Sequence, residues 1–198
     1  MEVRPVPCEY ERTMSLDGRP DDPPSVRLVP LSVAHLPLVM TWVNDREVMQ
    51  YFAARQERIA EDDEKKVLEH LVSSPNDRVF SIFTGDSEAD TEEAYLGQCS
   101  INQIYWPAKN GRIFLVIRAQ RHKKGYGNAA LTALVAHAFD ALDLHKLWLI
   151  VRRDNFRAQA MYVRHGFEFE GLLRDEYRVG DRWFDMVRMG RTNRPMPS

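Results

Sequence analysis

The chain has 198 residues, of which 44% are hydrophobic, and its 27 basic and 29 acidic residues give a net charge of −2. This length and apolar content suffice for one globular domain with a buried core. The balanced charge argues against general nucleic-acid binding, and the absence of a run of eighteen apolar residues argues against a membrane span.

The two ends of the chain differ in composition from its middle. Residues 1–25 contain five prolines among charged residues, and with so little apolar content we expect this extension to be disordered. Residues 191–198 form a predicted short tail, which leaves a single domain at 26–190. The N-terminus has no apolar signal segment, so we expect a cytoplasmic protein. Cys8 and Cys99 lack the paired spacing of a zinc site, so we expect free thiols and no metal.

The first part of the domain predicts helices and strands in alternation. The predicted elements are a strand at 26–31, a helix capped by Ser32 and reaching Trp42, a helix at 61–73, and strands at 79–83 and 95–101. Four acidic residues at 61–64 complement the dipole of the second helix. The glycine- and acid-rich run 85–93 predicts a hairpin loop.

The stretch from Gly111 to Gly127 carries the strongest functional signal. An apolar run at 113–117 is followed by a basic segment at 118–124, and Gly125-Tyr126-Gly127 then opens a helical pattern. A strand that leads through such a turn into a helix directs unpaired N–H groups and the positive end of the helix dipole at one point. The sequence therefore predicts an anion site, with pyrophosphate as the expected ligand.

The elements after this turn are also well marked. Apolar residues at three- and four-residue spacing predict a helix that ends at Leu142 and packs on a sheet. The strand 147–151 is apolar throughout, as in a central strand covered on both faces. A helix from Asn155 to a left-handed cap at Gly166 follows. Beyond it, Val179-Gly180-Asp181 predicts a hairpin between extended runs.

A dinucleotide-binding fold is the alternative, because residues 125–130 fit the pattern G-x-G-x-x-A and Asp154 ends the next strand as a ribose-binding acid would. In that fold the first glycine lies where the strand ends. Here about seven residues separate Ile117 from Gly125, and no further alternation of helix and strand follows. The sequence therefore disfavours a dinucleotide-binding fold.

The order and spacing of these motifs resemble the core of the GCN5-related N-acetyltransferases, the GNAT superfamily. The resemblance rests on the basic Gly-x-Gly turn, the long helix, the apolar strand and Asn155-x-x-Ala158-x-x-x-Tyr162-x-x-x-Gly166-Phe167. The segments 42–48, 170–174 and 177–185 resemble more narrowly its ribosomal-protein and polyamine acetyltransferase branch. The match covers roughly residues 25–190.

The resemblance implies an α/β (α+β) fold. Its mixed central sheet would have about six to seven strands and would be largely antiparallel, with a splayed parallel pair at the cofactor site and about four flanking helices. The strand 111–117 would carry a bulge whose N–H groups bind the thioester carbonyl and pantetheine.

The resemblance further implies acetyl-CoA as cosubstrate and assigns residues to it. The expected cofactor-binding residues are Leu115, Val116, Ile117, His122, Lys123, Lys124, Gly125, Tyr126, Gly127, Asn128 and Asn155. His122 departs from the family, which has Gln or Arg there, but binding through main-chain N–H groups should survive the change. Asn155 would hydrogen-bond pantetheine, or serve only as a helix cap.

Tyr162 matches the tyrosine that in many relatives protonates the departing thiolate. A core aromatic is the alternative interpretation. The family's usual base, a strand glutamate, is replaced by Arg112, so no base is assigned. His35 or His70 could serve through water, or the amine could arrive neutral.

The implied reaction is acetyl transfer from acetyl-CoA to a primary amine of a small molecule, such as a polyamine, an amino sugar or an antibiotic. A protein N-terminus is one alternative acceptor, and a catalytically silent acetyl-CoA sensor or interaction module is an alternative of another class.

A cationic acceptor would give the acids at 61–64 a second role, which is to neutralise its charge near the substrate site. Segments 48–58 and 177–185 would wall the acceptor site of a monomer or homodimer, with aromatic candidates Tyr51, Phe52, Tyr105, Trp106, Tyr177, Trp183 and Phe184.

Overall fold

The computed structural model describes residues 24–51 and 57–194. The predicted disordered extension lies almost wholly outside the described residues, as do Cys8, Phe52 and the end of the predicted tail. The described part contains twelve principal helices and strands: β1 Val26–Pro30, α1 Leu36–Met40, α2 Arg46–Met49, α3 Glu61–Ser73, β2 Arg78–Thr84, β3 Tyr95–Tyr105, β4 Asn110–Ile117, α4 Tyr126–Ala136, β5 Lys146–Arg152, α5 Phe156–Arg164, β6 Glu168–Val179 and β7 Arg182–Thr192.

The seven strands form one sheet in the order β1-β2-β3-β4-β5-β7-β6. β4 and β5 pair in parallel, whereas the other neighbouring pairs of the described sheet are antiparallel. The predicted mixed, largely antiparallel sheet is therefore confirmed. The hairpin at Gly180 is also confirmed, although β6 and β7 are longer than the short runs expected from the sequence.

The parallel pair is short and then divides. β4 and β5 pair at three positions, of which Arg112 opposite Trp148 is the last. Beyond this point β4 stays with β3 as far as Ile117, and β5 stays with β7 as far as Arg152. Because each strand follows a different neighbour, a gap opens between them. This gap is the predicted splay.

The expected bulge in β4 is not found. β4 pairs with β3 residue for residue from Arg112 to Ile117. Extra residues lie instead in β3, between Asn102 and Tyr105 opposite the start of β4 and at Leu96, where the register with β2 shifts. The next residue, Gly97, has φ of 149°, and a Cβ there would lie 2.2 Å from the carbonyl oxygen of Val116. Exposure of β4 N–H groups therefore comes from the splay, because alternate N–H groups point away from β3 towards the gap.

Helices cover the two faces of the sheet. The first hydrophobic core lies between the sheet and α4, and the second lies under α1 and α3 around Trp42 and Tyr95. On β5, Leu147, Leu149 and Val151 are buried against α4, whereas the intervening side chains are half-buried. The prediction that both faces of this strand are covered therefore holds fully for one face only, because Trp148, Ile150 and Arg152 on the other face are partly exposed.

The helix signals differ in how accurately they set boundaries. Ser32 caps as predicted, with its hydroxyl oxygen accepting from the Ala34 N–H at 3.2 Å, but a short 3-10 helix comes first and α1 ends at Met40. The predicted helix 61–73 matches α3. Gly166 has φ of 75°, as expected for the left-handed cap that ends α5.

Candidate active site

The splay between β4 and β5 forms a cleft of about 410 Å³. α2, the turn before α4, α5 and the β6–β7 hairpin complete its walls. Eleven of the twelve site residues predicted from the sequence line it: Leu115, Val116, Ile117, His122, Lys123, Gly125, Tyr126, Gly127, Asn128, Asn155 and Tyr162. Lys124 does not line the cleft and is exposed.

The turn before α4 has the geometry of an anion site. Gly125 is the N-cap of α4, with φ of 87°, and no side chain caps the helix. The first N–H groups of α4 are therefore open towards the cleft, where the helix dipole favours negative charge. A Cβ on Gly127 would make ordinary contacts, the nearest at 3.6 Å from Sδ of Met161. The fold could therefore accommodate a side chain at position 127, and the glycine leaves that space empty on the cleft side.

Charge in the cleft is strongly one-sided. Glu47 is the one carboxylate among the described lining residues. The lining side chains that carry a fixed positive charge are Arg112, Arg121, Lys123, Arg152, Arg157 and Arg164. A chain with a net charge of −2 thus concentrates cations around one gap in its sheet. Such a cleft attracts a polyanion.

His122 links the turn to both neighbouring elements. Its Nε2 lies 2.7 Å from the carbonyl oxygen of Ile117, and its Nδ1 lies 3.5 Å from Oε1 of Glu47. Because a carbonyl only accepts, Nε2 must carry a proton. Where the family has Gln or Arg, this histidine therefore ties the end of β4 to the turn and to α2.

Asn155 caps α5, with Oδ1 accepting from the Ala158 N–H at 3.2 Å. The helix-cap interpretation is thereby confirmed. The amide nitrogen of Asn155 makes no hydrogen bond to other described residues, and the residue lines the cleft. The geometry thus leaves this donor available to a ligand while the oxygen holds the helix.

Tyr162 belongs to both the core and the cleft. It is 9% exposed, and its ring meets Phe167 edge-on with centroids 5.8 Å apart. Burial raises the pKa of Tyr162 to about 12. Its hydroxyl makes no hydrogen bond within the described part of the chain, yet the residue lines the cleft. A protonated donor is therefore held in the cleft wall.

The base candidates from the sequence do not reach this site. His35 is buried, bonded through Nδ1 to the Ser81 hydroxyl at 2.9 Å, and burial lowers its pKa. His70 is exposed on α3. Neither lines the cleft. Arg112 does line it, with its guanidinium 5.6 Å from the ring centroid of Trp148.

The expected acceptor walls are present in part. Tyr51 and Tyr177 line the cleft, whereas Tyr105, Trp106 and Trp183 are exposed elsewhere. None of the acids at 61–64 lines it. Glu64 is instead buried beneath α3, and this burial raises its pKa. The interpretation of these acids as a cation trap in the cleft is therefore not supported.

Sequence reasoning missed Arg152, which lines the cleft at the end of β5. Its Nη1 donates to the carbonyl oxygen of Gln50 at 2.6 Å, and its Nε donates to Oδ1 of Asp154 at 2.9 Å. Its guanidinium carbon lies 3.9 Å from the ring centroid of Phe184. Apart from Asp154, these partners lie far from Arg152 in the chain, so no local pattern marks the arginine. Asp154, the ribose-binding acid of the dinucleotide alternative, is its partner.

The described residues offer no group of three or more His, Cys, Asp and Glu side chains that could hold a metal ion. Cys99 is a free thiol in the core, and its burial raises its pKa. Within the same residues, no helix combines the length and apolar character needed to cross a membrane.

Comparisons with known proteins agree with this geometry. The spermidine N(1)-acetyltransferase of Escherichia coli strain K12 is 28% identical over 167 residues, covering 83% of this chain and 84% of that protein. The spermidine N(1)-acetyltransferase of Vibrio cholerae serotype O1 is 23% identical over 146 residues, covering 74% of this chain and 80% of that protein.

A solved structure is also similar. The crystal structure of the Vibrio cholerae spermidine N-acetyltransferase in complex with CoA and spermine matches with a TM-score of 0.76 and 21% identity, covering 85% of this chain and 95% of that one. The family described as the acetyltransferase (GNAT) domain matches residues 25–168. With its splayed parallel pair and glycine turn, the chain therefore belongs to the GNAT family of acetyltransferases.

Proposed function

We propose that this protein transfers the acetyl group of acetyl-CoA to a primary amine of a small molecule, and that a polyamine is the first acceptor to test. The relatives named above support this choice, because they are called spermidine N-acetyltransferases. The observation that carries the proposal is that the β4–β5 cleft holds an open helix N-terminus at one end and the Tyr162 hydroxyl in its wall.

The phosphates of the cosubstrate would lie at the turn before α4. N–H groups of Gly125, Tyr126 and Gly127 can donate to the pyrophosphate, and Lys123 adds positive charge from the cleft side. Lys124, which does not line the cleft, would contribute only long-range attraction. Asn128 lies in the first turn of α4 and would support the same group.

The pantetheine arm and thioester would run along β4. The N–H groups of Leu115, Val116 and Ile117 that point into the gap have lost β5 as a partner, and they can donate to the pantetheine amides and to the thioester carbonyl. The free amide nitrogen of Asn155 can bind the same arm from the opposite wall. His122 would act indirectly, by holding the turn against Ile117.

Tyr162 would act as the acid of the reaction. The amine nitrogen forms a bond to the acetyl carbon, the carbon–sulfur bond breaks, and the leaving thiolate takes the proton of the Tyr162 hydroxyl. The nitrogen then gives up a proton to solvent, which returns one to the tyrosine. A thiol pKa of about 8.5 lies well below that of a buried phenol, so the equilibrium of this proton transfer favours the protonated phenol. The transfer therefore requires the thiolate to form within hydrogen-bonding distance of the hydroxyl.

The test is incubation of the purified protein with acetyl-CoA and a panel of amines. The panel contains spermidine, spermine, glucosamine, an aminoglycoside and a peptide with a free N-terminus. Release of free thiol that depends on one amine, with an acetylated product of the expected mass, would support the proposal. Binding of acetyl-CoA without thiol release for any amine would favour the sensor, and turnover of the peptide alone would favour the protein N-terminal acceptor.

A further inference from the structure

Two segments that are distant from each other in sequence also line the cleft. Gln50 and Tyr51 lie at the end of α2, and Tyr177 and Met186 lie on the β6–β7 hairpin. With the phosphates of the cosubstrate assigned to the turn before α4, the acceptor amine would enter between these two segments, at what we term the acceptor end. The separation of the two segments therefore sets the width of the acceptor site.

Arg152 contacts both segments. Its Nη1 donates to the carbonyl oxygen of Gln50, and its guanidinium lies 5.2 Å from the ring centroid of Tyr51. On the hairpin, the ring of Phe184 packs at 3.9 Å from the guanidinium carbon. The side chain is only 11% exposed. One arginine thus joins the end of β5 to the two walls of the acceptor end.

The chemistry of these contacts requires a guanidinium. Nε and Nη2 donate to the two carboxylate oxygens of Asp154. Nη1 donates to the carbonyl oxygen of Gln50, and the guanidinium lies over the ring of Phe184. A lysine ammonium could reproduce the charge but neither the fork nor the stacking. Because its donors are used within the protein, Arg152 holds the walls and does not bind the acceptor itself.

The pairing of Arg152 with the Asp154 carboxylate also suits a cationic acceptor. The hydrogen bond from Arg152 lowers the pKa of Asp154, so the pair stays ionised at neutral pH and its two charges compensate. A buried but paired arginine therefore shapes the acceptor end without presenting an uncompensated positive charge to an incoming ammonium.

We propose that Arg152, held by Asp154, is the positioning residue of the acceptor site and clamps the end of α2 to the β6–β7 hairpin. The inference rests on the proposed function, since it concerns how that cleft receives its amine. It assigns Arg152 an effect on acceptor binding and none on acetyl-CoA binding.

The test compares Arg152→Lys with Arg153→Lys. The neighbouring Arg153 also pairs with a carboxylate, at 3.0 Å from Oδ2 of Asp185 on the same hairpin. It is 64% exposed and does not line the cleft. The two variants therefore make the same chemical change to adjacent arginines that hold the same hairpin, but one of them lies in the cleft wall.

Two readouts decide the outcome. For Arg152→Lys we expect faster hydrogen exchange in both 46–51 and 177–186, a rise of about tenfold in KM for the amine, and a KM for acetyl-CoA that changes less than twofold. For Arg153→Lys we expect unchanged exchange in 46–51 and unchanged KM values.

The clamp is overturned if Arg152→Lys leaves exchange in either segment unchanged, or if the two variants behave alike. Its role in acceptor binding is overturned if exchange quickens while KM for the amine stays constant. If the unaltered protein acetylates no amine, the proposed function fails, whereas the exchange data still decide whether the clamp exists.

Discussion

Tyr162 must satisfy two demands at once. Its ring is packed in the core against Phe167, while its hydroxyl has no partner in the described structure and its residue lines the cleft. A purely structural tyrosine that is this buried would be expected to hydrogen-bond its hydroxyl to the protein. The unpartnered donor therefore favours a role with a ligand.

We expect Tyr162→Phe to lower kcat by about a hundredfold or more, because it removes the proton donor and keeps the ring. Affinity for acetyl-CoA and the melting temperature should change little. Steady-state kinetics and calorimetric binding measure these quantities. Tyr105→Phe is the matched control, since Tyr105 is 60% exposed and lies outside the cleft. A Tyr162→Phe variant as active as the control would remove the catalytic role.

The raised pKa of Tyr162 predicts the shape of the pH profile. Because burial moves this pKa up to about 12, the protonated, active form of the donor persists through the range in which an exposed tyrosine begins to ionise. We therefore expect kcat, measured between pH 6 and pH 10, to show no alkaline loss that depends on Tyr162. An alkaline limb in the unaltered protein that disappears in Tyr162→Phe would contradict this.

The turn into α4 depends on two glycines for different reasons. Gly125 has φ of 87°, and a Cβ there would lie 3.0 Å from Cδ of Pro24. Glycine is therefore required at position 125 by the backbone conformation of the turn. Gly127 has no such strain and has room for a Cβ. Any need for glycine at Gly127 must therefore come from a ligand that approaches the main chain.

We expect Gly127→Ala to weaken acetyl-CoA binding by about tenfold or more, because the methyl group occupies the side on which the phosphates approach. Stability should hold or improve slightly, since alanine favours a helix more than glycine does. Calorimetric titration and thermal unfolding give both values. Gly171→Ala is the control, since a Cβ there has nothing within 4 Å; equal affinities for the two variants would mean that no phosphate lies at the turn.

At the level of elements, the sequence predicted the strands, the long helices and the glycine turn, because each depends on local spacing or on a short motif. β5 was misjudged because an apolar strand beside a cleft has the same composition as one buried on both faces. The missing bulge and the role of Gly97 depend on how β3 and β4 approach each other, which no single strand reveals. Arg152 was missed because its contacts join residues up to 102 positions apart.

At the level of the whole molecule, charge is distributed unevenly. The chain carries a net charge of −2, yet the described lining of the cleft contains six Lys and Arg side chains and one carboxylate. Four of the six cations, Arg121, Lys123, Arg157 and Arg164, lie on the turn before α4 and on α5, whereas Arg152 is paired with Asp154. This distribution suits an anionic cosubstrate whose phosphates lie at the turn before α4.

The most direct test of the account is thermal unfolding of the full chain with acetyl-CoA, and with NAD as the control ligand. A ligand at about one hundred times its Kd stabilises the folded state by about 2.7 kcal/mol, which for a chain of this length raises the melting temperature by about 5–10 °C. We predict this rise with acetyl-CoA and none with NAD. No shift with acetyl-CoA, or an equal shift with NAD, would contradict the account.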